Sequence, residues 1–175
     1  MNNLQSKRIK ASQLVLIGTI CGDIIGSCYE WQSTKRYDFK LLSEYSRFTD
    51  DTVCSVAMAD ALVRNIPFDI HLKYWCKRYP RAGYGRMFRS WIYSFIEGPY
   101  NSWGNGSAMR VSSIGAFADN LDDCLSLAKQ SAEITHNHPD GIKGAQAVAS
   151  SIFLALHGYN KIELKNTLKI NLLII

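Results

Sequence analysis

The sequence lacks the cysteine patterns of disulfide-stabilised and zinc-ribbon proteins. Its five cysteines are odd in number and widely spaced, and no two of them form a C-x-x-C pair. Neither a disulfide framework nor a zinc ribbon is therefore encoded. Scattered thiols of this kind are typical of reduced, mostly buried cysteines. We therefore expect a cytoplasmic protein.

Other absences narrow the fold and function classes. No convincing two-residue alternation of a β-strand occurs, and the strand-first glycine fingerprint of dinucleotide-binding folds is missing. No uninterrupted apolar run reaches the roughly 18 residues needed to cross a bilayer, so we expect no membrane span. Residues 7–17 imitate the basic and apolar parts of a secretory signal, but Asp23 interrupts the apolar stretch.

The charge of the chain is nearly balanced. Lys and Arg number 20 against 15 Asp and Glu, a net charge of +5. This excess suits an anionic partner such as a phosphate, but it is small for a dedicated nucleic-acid binder. We expect no nucleic-acid partner. An alternative function, a small basic helical module that binds nucleic acid, would explain only the four arginines Arg78, Arg81, Arg86 and Arg89.

Helical periodicity dominates the sequence. Apolar residues recur at three- and four-residue steps, as on one face of a helix. The clearest stripes are Leu14, Ile17, Cys21, Ile24 and Cys28; Phe68, Leu72, Trp75 and Tyr79; and Phe88, Trp91, Ile92 and Phe95. All four prolines fall at segment boundaries. The length of 175 residues allows a substantial core. The sequence predicts one all-α domain over residues 1–175, with a long ordered loop over residues 31–48.

An acidic motif, Phe48-Thr49-Asp50-Asp51-Thr52, stands at the start of a predicted helix. Adjacent carboxylates flanked by hydroxyls are the hard oxygen ligands that Mg²⁺ or Mn²⁺ prefers. The same residues also suit an ordinary N-cap with acidic first-turn residues facing the helix dipole. From spacing alone, both interpretations stay open.

Two further carboxylates, Asp23 and Glu30, lie beside Gly22 and Gly26 on or just after the first predicted helix. Their seven-residue separation places them on one face, so both can point at one site. The two glycines would let another helix approach closely. The alternative is packing glycines with solvated acids.

Two glycine-rich segments, residues 81–86 and 102–107, lie between predicted helices. Such loops expose backbone N–H groups that hold a phosphate or diphosphate, although they also serve as simple turns. Trp103, set in a polar glycine loop, is well placed to stack on a base. Residues 135–140 add two histidines, for which metal ligation, contact with a phosphate or sugar, and helix capping are alternatives.

Five segments in this order resemble the ADP-ribosylglycohydrolase family. They are Gly22-Asp23-Ile24-Ile25-Gly26-Ser27-Cys28-Tyr29-Glu30, Phe48-Thr49-Asp50-Asp51-Thr52, Gly83-Tyr84-Gly85, Gly104-Asn105-Gly106-Ser107-Ala108-Met109-Arg110 and Thr135-His136. The resemblance extends from about Leu14 to His157. It implies a compact orthogonal multi-helix globule with a cleft for two divalent cations, Mg²⁺ or Mn²⁺. It also implies hydrolysis of the bond between ADP-ribose and a protein arginine, serine or related acceptor.

The resemblance assigns roles to individual residues. It implies that Thr49, Asp50 and Asp51 ligate metal. It also implies that Glu30, Asp50 and Asp51 are catalytic, with Glu30 acting in proton transfer or gating. Loops that cradle the ligand comprise Gly83, Gly85, Asn101, Ser102, Trp103, Gly104, Asn105 and Gly106, with Trp103 on the adenine side. His136 is implied to contact the ligand.

One family feature is missing from this sequence. The resemblance implies a later Asp-x-Asp-Thr motif that completes the binuclear site, but after Asp140 the only acidic residue is Glu163. We therefore expect a naturally shortened or frameshifted member that lacks the C-terminal helices, a doubtful second cation site and impaired activity. The alternative is a non-catalytic relative that binds ADP-ribose or a nucleotide. Apolar surface left uncovered by missing helices predicts a homodimer.

Overall fold

The computed structural model describes residues 3–31, 33–95 and 98–172. Within these ranges the chain forms eight α-helices and no β-strand, which confirms the all-α prediction. The helices are α1 (Asn3–Gly26), α2 (Asp50–Arg64), α3 (Phe68–Arg78), α4 (Arg86–Tyr93), α5 (Ser112–Phe117), α6 (Leu121–Glu133), α7 (Pro139–Leu156) and α8 (Lys161–Leu172). Short 3₁₀ turns span Ser27–Tyr29 and Asn105–Ser107.

Side-chain caps explain where several helices begin and end. Thr49 is extended and its hydroxyl accepts a hydrogen bond from the Asp51 N–H, which starts α2 one residue before the acidic pair. At the other end, Asn65 adopts the left-handed conformation that closes a helix. Asn120 caps α6 by accepting a hydrogen bond from the Asp123 N–H at 2.9 Å. Pro139 opens α7, where its missing N–H costs nothing.

Two adjoining apolar clusters form the core. The first, built around α5, α6 and α7, buries Val111, Ile114, Cys124, Ala128, Ala132, Ala145, Ala149, Phe153 and Leu154. The second, built around α2, α3 and α4, buries Val53, Cys54, Ala57, Met58, Leu72, Cys76, Trp91 and Ile92. Phe68 packs against both clusters. Together they place the N-terminus of α2 next to the loop before α5.

The close helix approach predicted at Gly22 and Gly26 is wrong. A methyl group built at either glycine would meet no atom within 4 Å among the described residues. The close approach occurs at Gly115 instead, where such a methyl group would lie 2.4 Å from the Ala149 carbonyl oxygen. Gly115 is therefore the residue that lets α5 rest directly on α7.

One predicted apolar stripe is mostly exposed. On α1, Leu14 and Ile17 keep 63% and 58% of their surface exposed, and Cys21 is also exposed. The helix uses other faces to pack against α5 and α2. Phe95, assigned by its spacing to the α4 stripe, lies beyond the end of that helix and is fully exposed. Spacing identified the helices but not which of their faces is covered.

One stretch, Ile9–Tyr29, is apolar and helical enough to cross a membrane by length and composition, with a mean hydropathy of 1.5. The expectation of no membrane span rests on the lack of an uninterrupted apolar run, and it stays a prediction, because this stretch is interrupted by Lys10 and Asp23. The finding is weak evidence for a span, because core helices and signal sequences pass the same test. In this fold the stretch carries Asp23, which is bonded to the start of α2.

Replacing Gly115 by Ala is expected to destabilise the protein by about 1–3 kcal/mol, because the new methyl group would overlap the α7 backbone. The measurement is urea unfolding. The matched control is Gly22→Ala, which adds the same methyl group to a helical site with open space. That control is expected to gain about 0.5–1 kcal/mol from helix propensity. Equal effects of the two changes would contradict the packing described.

Candidate functional site

A carboxylate on α1 holds the start of α2. Asp23 accepts hydrogen bonds from the Thr49 N–H at 2.8 Å and the Thr49 hydroxyl at 2.6 Å. It also accepts from the Thr52 N–H at 3.1 Å and from the Thr52 hydroxyl. Two of these donors are N–H groups that a helix N-terminus leaves without intrahelical partners. Asp23 therefore works as a second cap and joins the two helices.

The hydrogen bonds to Asp23 position two carboxylates in the first turn of α2. Asp50 and Asp51 are half-buried. Burial and the neighbouring charge of Asp51 raise the pKa of Asp50 to about 6, with smaller contributions from Glu30 and Asp23. Burial, followed by the charges of Asp23 and Glu30, also raises the pKa of Asp51. Four carboxyl groups therefore converge at one end of the fold.

Glu30 reaches this group from the loop that follows the Ser27–Tyr29 turn. Hydrogen bonds join the start of that loop to its later part. The Tyr29 hydroxyl donates to the Lys40 carbonyl at 2.6 Å, and the Cys28 thiol lies 3.0 Å from the Ser43 hydroxyl. The described part of residues 31–48 is thus an ordered loop without regular secondary structure, as predicted. Glu30 itself is exposed at the rim of the acidic group.

Gly83 lies directly against the acidic group. Its φ of +108° belongs to the left-handed region that favours glycine. A methyl group built on Gly83 would lie 3.4 Å from Asp50 Oδ1, so the loop backbone passes close to that carboxylate. The first glycine-rich segment and the acidic motif, separated by some thirty residues in sequence, therefore meet in space.

The second glycine-rich loop is fastened to the turn between α6 and α7. The Ser102 N–H donates to the Thr135 carbonyl at 3.4 Å, and the Ser107 hydroxyl donates to the Gly141 carbonyl at 2.7 Å. Gly141 permits this contact, because a methyl group there would lie 2.8 Å from the Ser102 carbonyl oxygen. These bonds hold residues 101–110 beside His136.

A cavity of about 350 Å³ opens between these parts, within the range of small-molecule sites. Its lining combines the start of α2, the start of α4, both glycine-rich loops and the α6–α7 turn. The lining residues are Asp50, Gly85, Arg86, Met87, Phe88, Tyr100, Ser102, Gly104, Asn105, Gly106, Met109, Arg110 and His136. Carboxylate, backbone amide, imidazole and guanidinium groups therefore share one concave surface.

The buried polar wall of this cavity is formed by His136 and Arg110. Burial, with a smaller effect of the Arg110 charge, lowers the pKa of His136 to about 4, so its ring is neutral at pH 7. Burial also lowers the pKa of Arg110. Tyr100 lies beside His136, with ring centroids 6.0 Å apart.

Seven of the residues assigned from the sequence line the cavity: Asp50, Gly85, Ser102, Gly104, Asn105, Gly106 and His136. The others lie around it. Asp51, Glu30 and Gly83 adjoin Asp50, and Asn101 turns the second loop with a φ of +54°. Trp103 is 74% exposed and is not among the lining residues. Its base-stacking role stays a prediction.

Three contributors were missed as site residues. Asp23 was expected only to share a face with Glu30 and to point at the same site, whereas it anchors Thr49. Arg110 and Tyr100 were given no role, although both line the cavity. The sequence contains one indication for Arg110, because it stands between the apolar residues Met109 and Val111. A charged side chain in such a segment is costly to bury and requires hydrogen-bond partners. Nothing in the local sequence indicates that Tyr100 faces the same space.

The assignment of Thr49, Asp50 and Asp51 as metal ligands stays a prediction. Within residues 3–31, 33–95 and 98–172, no group of three or more His, Cys, Asp or Glu side chains is placed to hold a metal ion. The Thr49 hydroxyl already donates to Asp23 and accepts from the Asp51 N–H. Asp50 and Asp51 are then the two adjacent carboxylates that could hold a cation. This suits Mg²⁺, which is commonly held by one or two carboxylates together with water and substrate phosphates.

Comparison with known proteins matches nearly the whole chain. The family model described as ADP-ribosylglycohydrolase matches residues 3–171. The chain is 29% identical over 182 residues to ADP-ribosylhydrolase ARH3 of Gallus gallus, covering 82% of this chain and 49% of that protein. It is 28% identical over 185 residues to ADP-ribosylhydrolase ARH3 of Homo sapiens, covering 85% and 50%. The chain thus spans about half the length of the curated relatives that it matches.

Asp50→Asn is expected to raise the melting temperature at pH 7 without divalent cations. Because the pKa of Asp50 is raised from 3.8 to about 6, the folded state binds its proton more tightly and loses stability as the pH rises through that interval. Allowing for solvent screening of a half-buried group, removing the charge is worth on the order of 1 kcal/mol, or roughly 2–4 °C. Thermal unfolding in EDTA measures the change.

The matched control for this stability test is Asp122→Asn. Asp122 is an exposed acid in the first turn of α6. Its neutralisation is expected to lower the melting temperature slightly, since only the favourable interaction with the helix dipole is lost. A melting temperature of Asp50→Asn below that of the unsubstituted protein would contradict the electrostatic account.

Proposed function

Because the chain belongs to the ADP-ribosylglycohydrolase family, we propose that it hydrolyses the glycosidic bond between ADP-ribose and a modified protein side chain, with residues 1–175 acting as one domain. The observation that carries this proposal is the meeting of an acidic helix start, two glycine loops and a neutral histidine around one cavity. The relatives named ADP-ribosylhydrolase support the same reaction class. The acceptor side chain would be an arginine, a serine or a related group.

The glycine loops suit the diphosphate part of such a ligand. Gly85 precedes α4, and residues 104–106 turn beside His136, so both loops bring backbone amides to the cavity with little side-chain bulk. Amide donors hold phosphate oxygens without adding charge. Trp103, exposed at the rim, would stack on the adenine ring.

The carboxylates suit a divalent cation. Burial raises the pKa of Asp50 and of Asp51, and the charges of neighbouring carboxylates, Asp51 for Asp50 and Asp23 and Glu30 for both, raise them further. A bound Mg²⁺ or Mn²⁺ would relieve the repulsion among these charges and would supply a Lewis acid for the ribose hydroxyls. Asp50 and Asp51 would be its protein ligands, with Thr49 behind them holding the turn in shape.

Proton transfer would fall to Glu30. Its carboxylate is exposed at the rim and is near enough to raise the pKa of both aspartates. In the proposed reaction, water forms a bond to the anomeric carbon of the ribose while the bond to the acceptor side chain breaks. Glu30 accepts one proton from the water, and the departing side chain regains a proton from solvent.

Two further properties belong to this proposal. The five cysteines are free thiols, which supports a reducing, cytoplasmic location. The exposed apolar residues of α1, among them Leu14 and Ile17, support pairing with a second copy of the chain.

A second candidate function is binding of ADP-ribose or a nucleotide without turnover. It is favoured by one observation: among the described residues, no three His, Cys, Asp or Glu side chains are placed to hold a metal ion together. A two-ligand site of this kind binds Mg²⁺ weakly unless the substrate completes it. The cavity and its neutral histidine would still accept the ligand.

The proposed hydrolysis is tested by incubating ADP-ribosylated protein with the chain and Mg²⁺ or Mn²⁺, and measuring the ADP-ribose released. Release is expected to fall about 100-fold or more in Asp50→Ala and in Asp51→Ala, because the carboxylates that would hold the cation are lost. Asp122→Ala, which removes an exposed acid on α6, is the control and is expected to retain full activity.

Calorimetry with free ADP-ribose separates the two candidate functions. Binding heat together with turnover supports the hydrolase. Heat without turnover on any ADP-ribosylated acceptor rejects the hydrolase and supports the binding protein. In both cases Trp103→Ala is expected to weaken binding roughly 5- to 100-fold if the indole stacks on the base. Absence of heat and turnover together would reject both.

A further inference from the structure

A buried arginine, Arg110, lies in the cavity wall, and no carboxylate among the described residues is hydrogen-bonded to it. Arg110 is 1% exposed, and its Nη2 group donates to the Ser131 carbonyl at 2.6 Å and to the Thr135 hydroxyl oxygen at 2.9 Å. Its Nε group is buried and finds no hydrogen-bond partner among the described residues. A buried donor left unsatisfied costs stability. A residue this expensive is better explained by a functional role than by packing.

The bond from Arg110 decides how the Thr135 hydroxyl behaves. A guanidinium group can only donate, so the Thr135 oxygen is the acceptor in that bond. The same oxygen lies 2.7 Å from His136 Nδ1. Among the described residues no other acceptor is recorded for the hydroxyl proton. Thr135 therefore donates to Nδ1, and the ring proton of His136 sits on Nε2.

The Nε2 edge of His136 faces the second glycine loop. A methyl group built on Gly106 would lie 3.1 Å from both Nε2 and Cε1, so only glycine leaves this edge free. Gly106 and His136 both line the cavity. The ring is held from the other side by Gly141, whose added methyl group would lie 3.0 Å from His136 Cβ. The imidazole therefore has one orientation and one available polar edge.

We propose that Arg110 is a positioning residue that acts through Thr135 to fix His136 as the Nε2–H tautomer, a neutral hydrogen-bond donor for a ligand oxygen in the cavity. The opposite tautomer would present a bare nitrogen lone pair, which repels the oxygen of a phosphate or sugar. The identity of the ligand rests on the proposed function, but the tautomer does not, because it is set by the protein alone.

The tautomer is measured directly by two-bond ¹H–¹⁵N spectra of ¹⁵N-histidine protein at pH 7 without ligand, with the His136 signals assigned from His136→Gln. The expected result is a protonated Nε2 and an unprotonated Nδ1. In Thr135→Val, which removes the hydroxyl at constant size, the ring is expected to populate both tautomers. Thr135→Ser is expected to restore the single form.

The matched control is Ser131→Ala. Its hydroxyl donates to the Ala128 carbonyl, whereas Arg110 uses only its backbone carbonyl, so the His136 tautomer is expected to stay unchanged. A protonated Nδ1 in the unsubstituted protein overturns the proposal even if Thr135→Val fails to fold. An unchanged tautomer in a folded Thr135→Val protein overturns it as well.

Binding of ADP-ribose, measured by calorimetry, is the functional readout. Thr135→Val is expected to bind about 3- to 10-fold more weakly, the effect of one hydrogen bond, while Thr135→Ser binds like the unsubstituted protein. If the tautomer shifts as expected but neither the unsubstituted protein nor a variant binds ADP-ribose, the proposed function fails, while the role of Thr135 in fixing the tautomer stands. If ADP-ribose binds equally to Thr135→Val after a tautomer shift, the donor role of His136 is rejected.

Discussion

The functional end of this protein depends on the hydrogen bonds that one carboxylate, Asp23, accepts from the start of α2. Its partners are the backbone and hydroxyl groups of Thr49 and Thr52. These bonds fix the entry of α2 and so decide where the next side chains point. Asp50 and Asp51 follow directly in the chain, and the cavity exists where they meet the glycine loops. Asp23, to which no role was assigned from the sequence, thus orients Asp50 and Asp51, the two acids that are expected to bind metal.

The site is assembled at a cost in stability. Burial and the neighbouring carboxyl groups raise the pKa of Asp50 to about 6, and Arg110 is buried with an Nε–H that has no hydrogen-bond partner among the described residues. Such arrangements lower stability and persist where a ligand or cation can compensate them. Asp50 and Arg110 both line one cavity, and they are opposite in charge. Such a lining suits a ligand that carries both cation-binding hydroxyls and anionic phosphates.

Much of the fold could be predicted from the sequence, because helix periodicity and caps are local properties. The helix starts at Thr49, Asn120 and Pro139 follow from the chemistry of those residues. Whether a helical face is covered depends on tertiary packing. The exposed stripe of α1 and the open space at Gly22 were therefore not foreseeable. The acidic motif and glycine loops were predictable as parts of one site only through the family resemblance, whereas the links from Asp23 and Arg110 needed coordinates.

The most direct test is a crystal of the chain soaked with Mn²⁺ and ADP-ribose, with data collected at a wavelength where manganese scatters anomalously. The account predicts an anomalous peak at the Asp50 and Asp51 carboxylates, with the diphosphate lying between Gly85 and residues 104–106. An ADP-ribose molecule bound elsewhere, or a manganese peak away from both aspartates, would contradict it.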